Sequence, residues 1–168
     1  GSYDPDLAWT DFAYVRDRPT DSAAASTAMA TGVKTYDAGI GVDPDGNPVE
    51  NVTERAIALG KSAGTVTSVP FSHATPAGYY AHEESRNSYH AIADDGLRSQ
   101  LSVIMGAGHP FYDDSGDMLA EPNYRYLTEE SYDRLVAGDT NFTLVDELDG
   151  FQALTEGGHL GALIPEEY

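Results

Sequence analysis

Cysteine is absent from the 168 residues. That excludes disulfides, thiolate metal sites and a cysteine nucleophile. Basic side chains are scarce: nine Lys and Arg stand against 28 Asp and Glu, a formal charge of −19. Such a chain repels phosphate backbones and anionic lipid surfaces, which argues against nucleic acid and membrane surfaces as partners. It also points to a cation-rich setting, where counterions screen the self-repulsion. There is no apolar run of about eighteen residues, so no transmembrane helix is expected. What is present is a 40% apolar content, which excludes a wholly disordered chain and suffices for one core.

The charge is unevenly spread. Residues 1–112 carry 7 basic and 14 acidic side chains, a balance of −7, whereas residues 113–168 carry 2 and 14, a balance of −12. The half that keeps its Arg and Lys is the better place to look for function. The acidic half reads as a solvated surface, with a cation site as the other reading. Residues 1–10 lack the basic-then-apolar pattern of an export signal, which leaves export unread. The chain opens on Gly1, and stretch 157–168 reads as a linker. Together they lead us to expect a fragment.

Alternating helices and strands are expected. A helix opens at Thr20-Asp21-Ser22, runs through an alanine-rich stretch to Met29 and ends at Gly32. Residues 43–48 form a turn, 53–62 an amphipathic helix and 65–69 a β-branched strand. Pro76 suits the first turn of a helix reaching Tyr79 and Tyr80, and 101–105 reads as a strand closed by Gly106-Ala107-Gly108. A helix near 129–137, a strand near 142–145 and a helix near 147–154 complete the pattern. It implies an α/β layered fold with a mainly parallel sheet, whose sites lie at strand ends and helix N-termini.

A few residues stand out chemically. Ser22 sits at a helix start, where free N–H groups and the macrodipole favour an anion, so its hydroxyl is a candidate nucleophile. Alternatively, Thr20, Asp21 and Ser22 only cap the helix. Arg86 offers a fork that fits phosphate or carboxylate oxygens, or a surface ion pair with Glu83 or Glu84. His73 and Thr75 follow a strand and precede Pro76, a strand-end position suited to a ligand or an orienting group. His82, His90, His109 and His159 show no ligand spacing. The run Asp43, Asp45, Asn47, Glu54 has Pro48 where a calcium loop needs Gly, and Asp113, Asp114 and Asp117 read as a solvated turn, with a cation site as the alternative. There is no Gly-x-Ser-x-Gly elbow.

The run from Thr20 to Thr35, TDSAAASTAMATGVKT, followed by YDAGIGVD, resembles the nucleophile motif of alkaline phosphatases. Ser72-His73-Ala74-Thr75-Pro76-Ala77-Gly78 and Ala81-His82 through Ser85-Arg86-Asn87 resemble a second block of that family. Val103-Ile104-Met105-Gly106-Ala107-Gly108 resembles a third, in the same order. The resemblance implies an alkaline-phosphatase-like three-layer sandwich with a mainly parallel central sheet, present here as a fragment. The chain would be a single partial domain, with its motifs at 20–90 and an acidic peripheral segment at 113–168.

By resemblance, Ser22 would be the nucleophile that becomes phosphoserine, and also a zinc ligand. Asp21 would orient Ser22 and Arg86, and Arg86 would clamp the phosphoryl oxygens. Thr75 would ligate magnesium, with His73 standing behind that ion's direct ligands. The implied cofactors are two zinc ions and one magnesium, most of whose ligands would lie outside this chain. The implied substrate is a phosphate monoester. A homodimer of the full-length protein and a periplasmic or extracellular location are implied in the same way. Two other readings stand beside this one. The chain could be a non-catalytic truncated or cation-binding acidic module, or another hydrolase of the superfamily acting on phosphodiesters or sulfates. Loss of flanking strands would expose apolar faces, so the isolated chain is expected to fold poorly or associate.

Overall fold

The computed structural model describes residues 4–17, 19–113, 115–154 and 160–163. Asp114, His159 and parts of the stretch 157–168 lie outside them. The elements run α1 (Pro5–Thr10), α2 (Phe12–Asp17), α3 (Ser22–Thr31), α4 (Val52–Ala58), β1 (Gly64–Pro70), α5 (Ala74–Ala77) and α6 (Tyr89–Arg98). Then follow β2 (Val103–Ala107), α7 (Glu129–Ala137), β3 (Thr143–Leu144), α8 (Leu148–Gln152) and β4 (Leu160–Leu163). The four strands form one sheet in the order β1-β2-β4-β3, and every pairing is parallel. An α/β fold with a parallel sheet was expected and is what the chain forms.

Local chemistry explains the best-defined elements. Asp21 is the N-cap of α3, and Gly32, with φ of +75°, closes it in the left-handed conformation. The helix buries Ala23, Ser26, Thr27 and Ala30, all small and on one face. Small size is what the packing needs. Ser26 Oγ donates to the Ala74 carbonyl at 2.9 Å, and a Cβ added at Gly78 would stand 2.5 Å from Ser26 Oγ. The alanines therefore serve close approach of α3 to α5 as much as helix propensity.

Several elements differ from the sequence expectation. Helix α4 starts earlier and stops at Ala58, because Asn51 and Glu54 form a capping box at its N-terminus. The helix expected through Tyr80 is only the four residues of α5, followed by turns. Strand β2 is shifted two residues along, so Gly106 lies inside it. There a Cβ would meet the Val69 carbonyl at 2.9 Å, beside the register shift between Val66 and Pro70. Strand β3 is only two residues long, and the stretch read as a linker contributes β4. Helices α1, α2 and α6 are not expected from the sequence pattern. Helices α1 and α2 bury no side chain and leave Trp9 and Phe12 exposed.

The core joins α3, α5, α6 and the sheet through Ala23, Ala74, Ala77, Ile92 and Ile104, with Ile40 from the loop after α3. Ile40, Ile92, Leu101 and Leu127 are fully buried, each contributing about 1.5–3 kcal/mol of transfer free energy. Ile40 fixes the loop that follows the first helix against the core. That loop supports the site.

Candidate active site

Helix α3 begins the site. Asp21 Oδ2 accepts from the Ala24 N–H at 3.0 Å, the usual capping bond. Capping is therefore done by Asp21, and Ser22, the first helical residue, keeps its hydroxyl for another partner. That partner is Arg86, whose Nη1 donates to Ser22 Oγ at 2.9 Å and to Asp21 Oδ1 at 2.6 Å. Arg86 passes over its neighbours Glu83 and Glu84 and pairs with a residue 65 positions earlier. The surface ion pair considered from sequence is not the one formed.

A backbone loop completes the frame. Ala38 donates its N–H to Asp21 Oδ2 at 3.0 Å and accepts the Arg86 N–H on its carbonyl at 2.8 Å. It does so with φ of +71°, a left-handed conformation that costs a non-glycine residue about 1–2 kcal/mol. Strain at this position aims both of its polar groups at the two charged residues. Burial pushes the Asp21 carboxyl up. The Ala24 N–H bond, the Arg86 guanidinium and the Ala38 N–H outweigh it and hold the group below the usual aspartate value.

His73 stands next to this unit. Its ring stacks on Tyr89 with centroids 5.4 Å apart and meets Tyr126 edge-on at 5.3 Å. Its Nε2 is buried without a hydrogen-bond partner. Burial, then the charges of Arg86 and Arg125, push its pKa below the usual histidine value, so it is neutral at pH 7. Arg125 lies over the rings of Tyr89 and Tyr126 at 5.8 and 5.4 Å. Thr75 is exposed and lines a shallow hollow of about 240 Å³ with Thr65, Val66 and Thr67 of β1. Among the described residues no hydrogen bond joins it to Ser22 or Arg86.

The structure thus joins Asp21, Ser22 and Arg86 by direct hydrogen bonds, sets His73 within their electrostatic reach, and leaves Thr75 to one side. Other candidates have structural partners. His109 is buried, accepts the Phe111 N–H on Nδ1 at 3.1 Å and lies 3.4 Å from Asp146. His90 bonds the Tyr124 carbonyl. Asp43 and Asp113 each accept N–H groups of their own turns. Sequence reading missed Ala38, Tyr89, Tyr126 and Arg125. Nothing in an alanine announces a positive φ, and the rings meet only after folding.

The arrangement can receive a tetrahedral oxyanion. Ser22 and Ala23 lie at the start of a ten-residue helix, where N–H groups and the dipole favour negative charge. Arg86 adds a fixed positive fork beside a hydroxyl.

The family model for alkaline phosphatase matches residues 8–112. Alkaline phosphatase 4 of Bacillus subtilis (strain 168) is 43% identical over 119 residues, which are 65% of this chain and 26% of that protein. The cold-active alkaline phosphatase of Shewanella sp. superposes with a TM-score of 0.69 at 33% identity, covering 89% of this chain and 34% of that one. A histidine-to-aspartate variant of the TAB5 alkaline phosphatase, with Mg bound in its M3 site, gives a TM-score of 0.64 at 30% identity. It covers 85% and 38% of the two chains. The chain therefore spans about a quarter to two-fifths of these relatives.

Proposed function

Since the chain belongs to the alkaline phosphatase family, we propose that it carries the nucleophile and phosphate clamp of a metal-dependent phosphomonoesterase. The observation that supports this most directly is the Arg86 Nη1 that donates at once to Asp21 Oδ1 and Ser22 Oγ. Ser22 Oγ attacks phosphorus. The Oγ–P bond forms, the ester P–O bond breaks, and the departing oxygen gains, in net terms, the proton that Ser22 gives up, so an alcohol leaves. Water then cleaves the Oγ–P bond, which restores Ser22 and releases phosphate. Phosphoryl transfer spreads charge over the three non-bridging oxygens, and positioned cations and N–H dipoles stabilise it. Arg86 and the start of α3 supply both. Asp21 has both oxygens engaged, so it orients Arg86 and Ser22 instead of taking the serine proton.

The family relationship implies two zinc ions and one magnesium. Magnesium finds a partial fit: His73 Nε2 is buried without a partner, whereas the exposed Thr75 lines a hollow against β1 to one side of Ser22 and Arg86. Thr75 would hold the ion and His73 would support its surroundings. The ion would supply positive charge beside the phosphoryl group. For zinc the fit stops at Ser22 Oγ. Among the described residues no three His, Asp or Glu groups converge to hold a metal ion, so no step is derived through zinc. A periplasmic or extracellular location accords with the family. No helix among the described residues is long and apolar enough to cross a membrane.

The test is hydrolysis of an aromatic phosphate monoester at alkaline pH, with zinc and magnesium, with chelator, and with Ser22→Ala. Chelator-sensitive turnover that Ser22→Ala removes is the expected result. Turnover that survives Ser22→Ala overturns the serine assignment. Phosphate affinity with and without Arg86→Ala is an independent readout of the clamp.

A further inference from the structure

His82 lies outside the site, yet its ring ties together the segments that build it. Nδ1 is 2.7 Å from the Gly41 carbonyl oxygen, and Nε2 is 2.8 Å from Glu54 Oε1. A carbonyl and a carboxylate can only accept, so both ring nitrogens must donate and the ring is an imidazolium. The approach is close: Gly41 has φ of +60°, and a Cβ there would stand 2.1 Å from the Ala81 carbonyl oxygen and 2.8 Å from His82 Nδ1. Only glycine admits this contact.

From Gly41 the connection runs directly to the site. The Gly41 N–H donates to Thr27 Oγ1 at 2.9 Å, and Thr27 Oγ1 donates to the Gly39 carbonyl at 3.1 Å. Ile40 and Glu83 exchange two backbone bonds of 2.9 Å. Ala38 then meets Asp21 and Arg86 as described. We infer that His82 is a positioning residue: bridging Glu54 and Gly41, it locks the strained segment 38–41 to the segment that carries Arg86. The inference deepens the phosphomonoesterase reading and rests on it for its functional meaning.

The charges around His82 favour the bridge. Glu54 faces it from α4. From α6, Asp95 accepts the His82 backbone N–H at 3.2 Å and is itself paired with Arg98 at 3.0 Å. Glu83 and Glu84 adjoin it on its own segment. Burial pushes the His82 ring down. The hydrogen bonds to Glu54 and the Gly41 carbonyl, and the charges of Glu54 and Asp95, outweigh it and raise its pKa above the usual value. As pH rises through that raised value, one ring nitrogen loses its proton and turns a lone pair toward an acceptor, the Glu54 carboxylate or the Gly41 carbonyl. The bridge then opens.

Glu54→Gln separates this device from ordinary packing. Glu54 Oε2 accepts the Asn51 N–H at 2.8 Å. A glutamine keeps an oxygen there and turns its NH2 toward a neutral His82 Nε2. The bridge then survives deprotonation.

The experiment is NMR titration of the full chain, following the His82 ring, the Ala38 amide and the Arg86 guanidinium, with inorganic phosphate affinity measured over the same pH range. In the wild type, the Ala38 and Arg86 signals are expected to move along the His82 titration curve. The wild-type-to-Glu54→Gln affinity ratio is expected to fall about fivefold as pH rises. Phosphate's own ionisation cancels in that ratio. Ala38 and Arg86 signals indifferent to His82, or equal pH profiles for the two proteins, overturn the inference. His82→Ala should weaken phosphate binding at low pH and converge with the wild type as pH rises through the His82 titration, while Glu54→Gln keeps the test valid if that variant fails to fold. Phosphate binding indifferent to Arg86→Ala would instead defeat the phosphomonoesterase reading and leave the NMR coupling to judge His82.

Discussion

Residues 1–112 and 113–168 carry fourteen acidic side chains each, but they use them differently. In the first part Asp21 is shared among Arg86, Ala24 and Ala38, and Glu54 between His82 and the Asn51 N–H. In the second part, Asp113 serves its own turn, and Glu129 and Glu130 sit exposed in the first turn of α7, where the helix dipole welcomes them. Among the described residues, carboxylates thus build a connected frame in the first region, while Asp113, Glu129 and Glu130 of the second stay with their own turn and helix start, and Asp146, 3.4 Å from His109, links it to the first. What separates them is long-range pairing, since charge count does not.

The most severe way to break the contrast is at the nucleophile. Ser22→Ala should abolish phosphoserine formation, read as loss of covalent phosphate by mass spectrometry, while the far-UV CD spectrum stays unchanged. Arg86→Ala comes next. Removing a preorganised donor of this kind costs about 10²–10³ in rate, measurable as kcat/KM on an aryl phosphate. An Arg86→Ala protein of undiminished phosphate affinity would argue against the clamp.

Gly41→Ala tests the frame itself. Its Cβ would collide with the Ala81 carbonyl at a positive φ, so about 3 kcal/mol of destabilisation is expected in urea unfolding. Asp21→Asn should cost less, about 1 kcal/mol from the cap and the Arg86 pair. Its pH dependence has a definite sign. The folded Asp21 pKa is depressed, so its stabilisation is present above the unfolded value of about 3.9. It is lost as pH falls through the folded value. Wild type and Asp21→Asn should therefore converge in acid. The smallest effect belongs to the other region: Glu130→Gln should stay within about 0.5 kcal/mol. A larger loss there would erase the distinction between the two parts.

Some of this was legible from residues. The α3 start, its Gly32 stop, the β1 core and the whole of α7 follow from capping chemistry, β-branched content and periodicity. The pattern Asn51-x-x-Glu54 fits the capping box that forms, but the expected helix start at Thr53 did not use it. Other features had little local signal. Helix α6 starts at Tyr89 with Ser88 as a cap that makes no side-chain hydrogen bond, so its only local mark is a serine that the sequence reading passed over. Strand β4 is short and depends on its neighbours for pairing, which periodicity does not report, whereas β3 falls inside the strand expected near 142–145.

Ser22 and Arg86 were both suspect as individuals, each with a bland explanation equally at hand. Sequence by itself determined that a capped, small-residue helix would present a serine at its first turn, because capping and propensity act over a few residues. It also determined that cations would be few. Only the tertiary structure decided that Asp21 would do the capping and leave Ser22 to Arg86, that Ala38 would bend against its own preference, and that His82 would reach both Gly41 and Glu54. Those contacts join residues up to 65 positions apart. Their energy exists only once the core around Ile40 and Ile92 has brought the segments together.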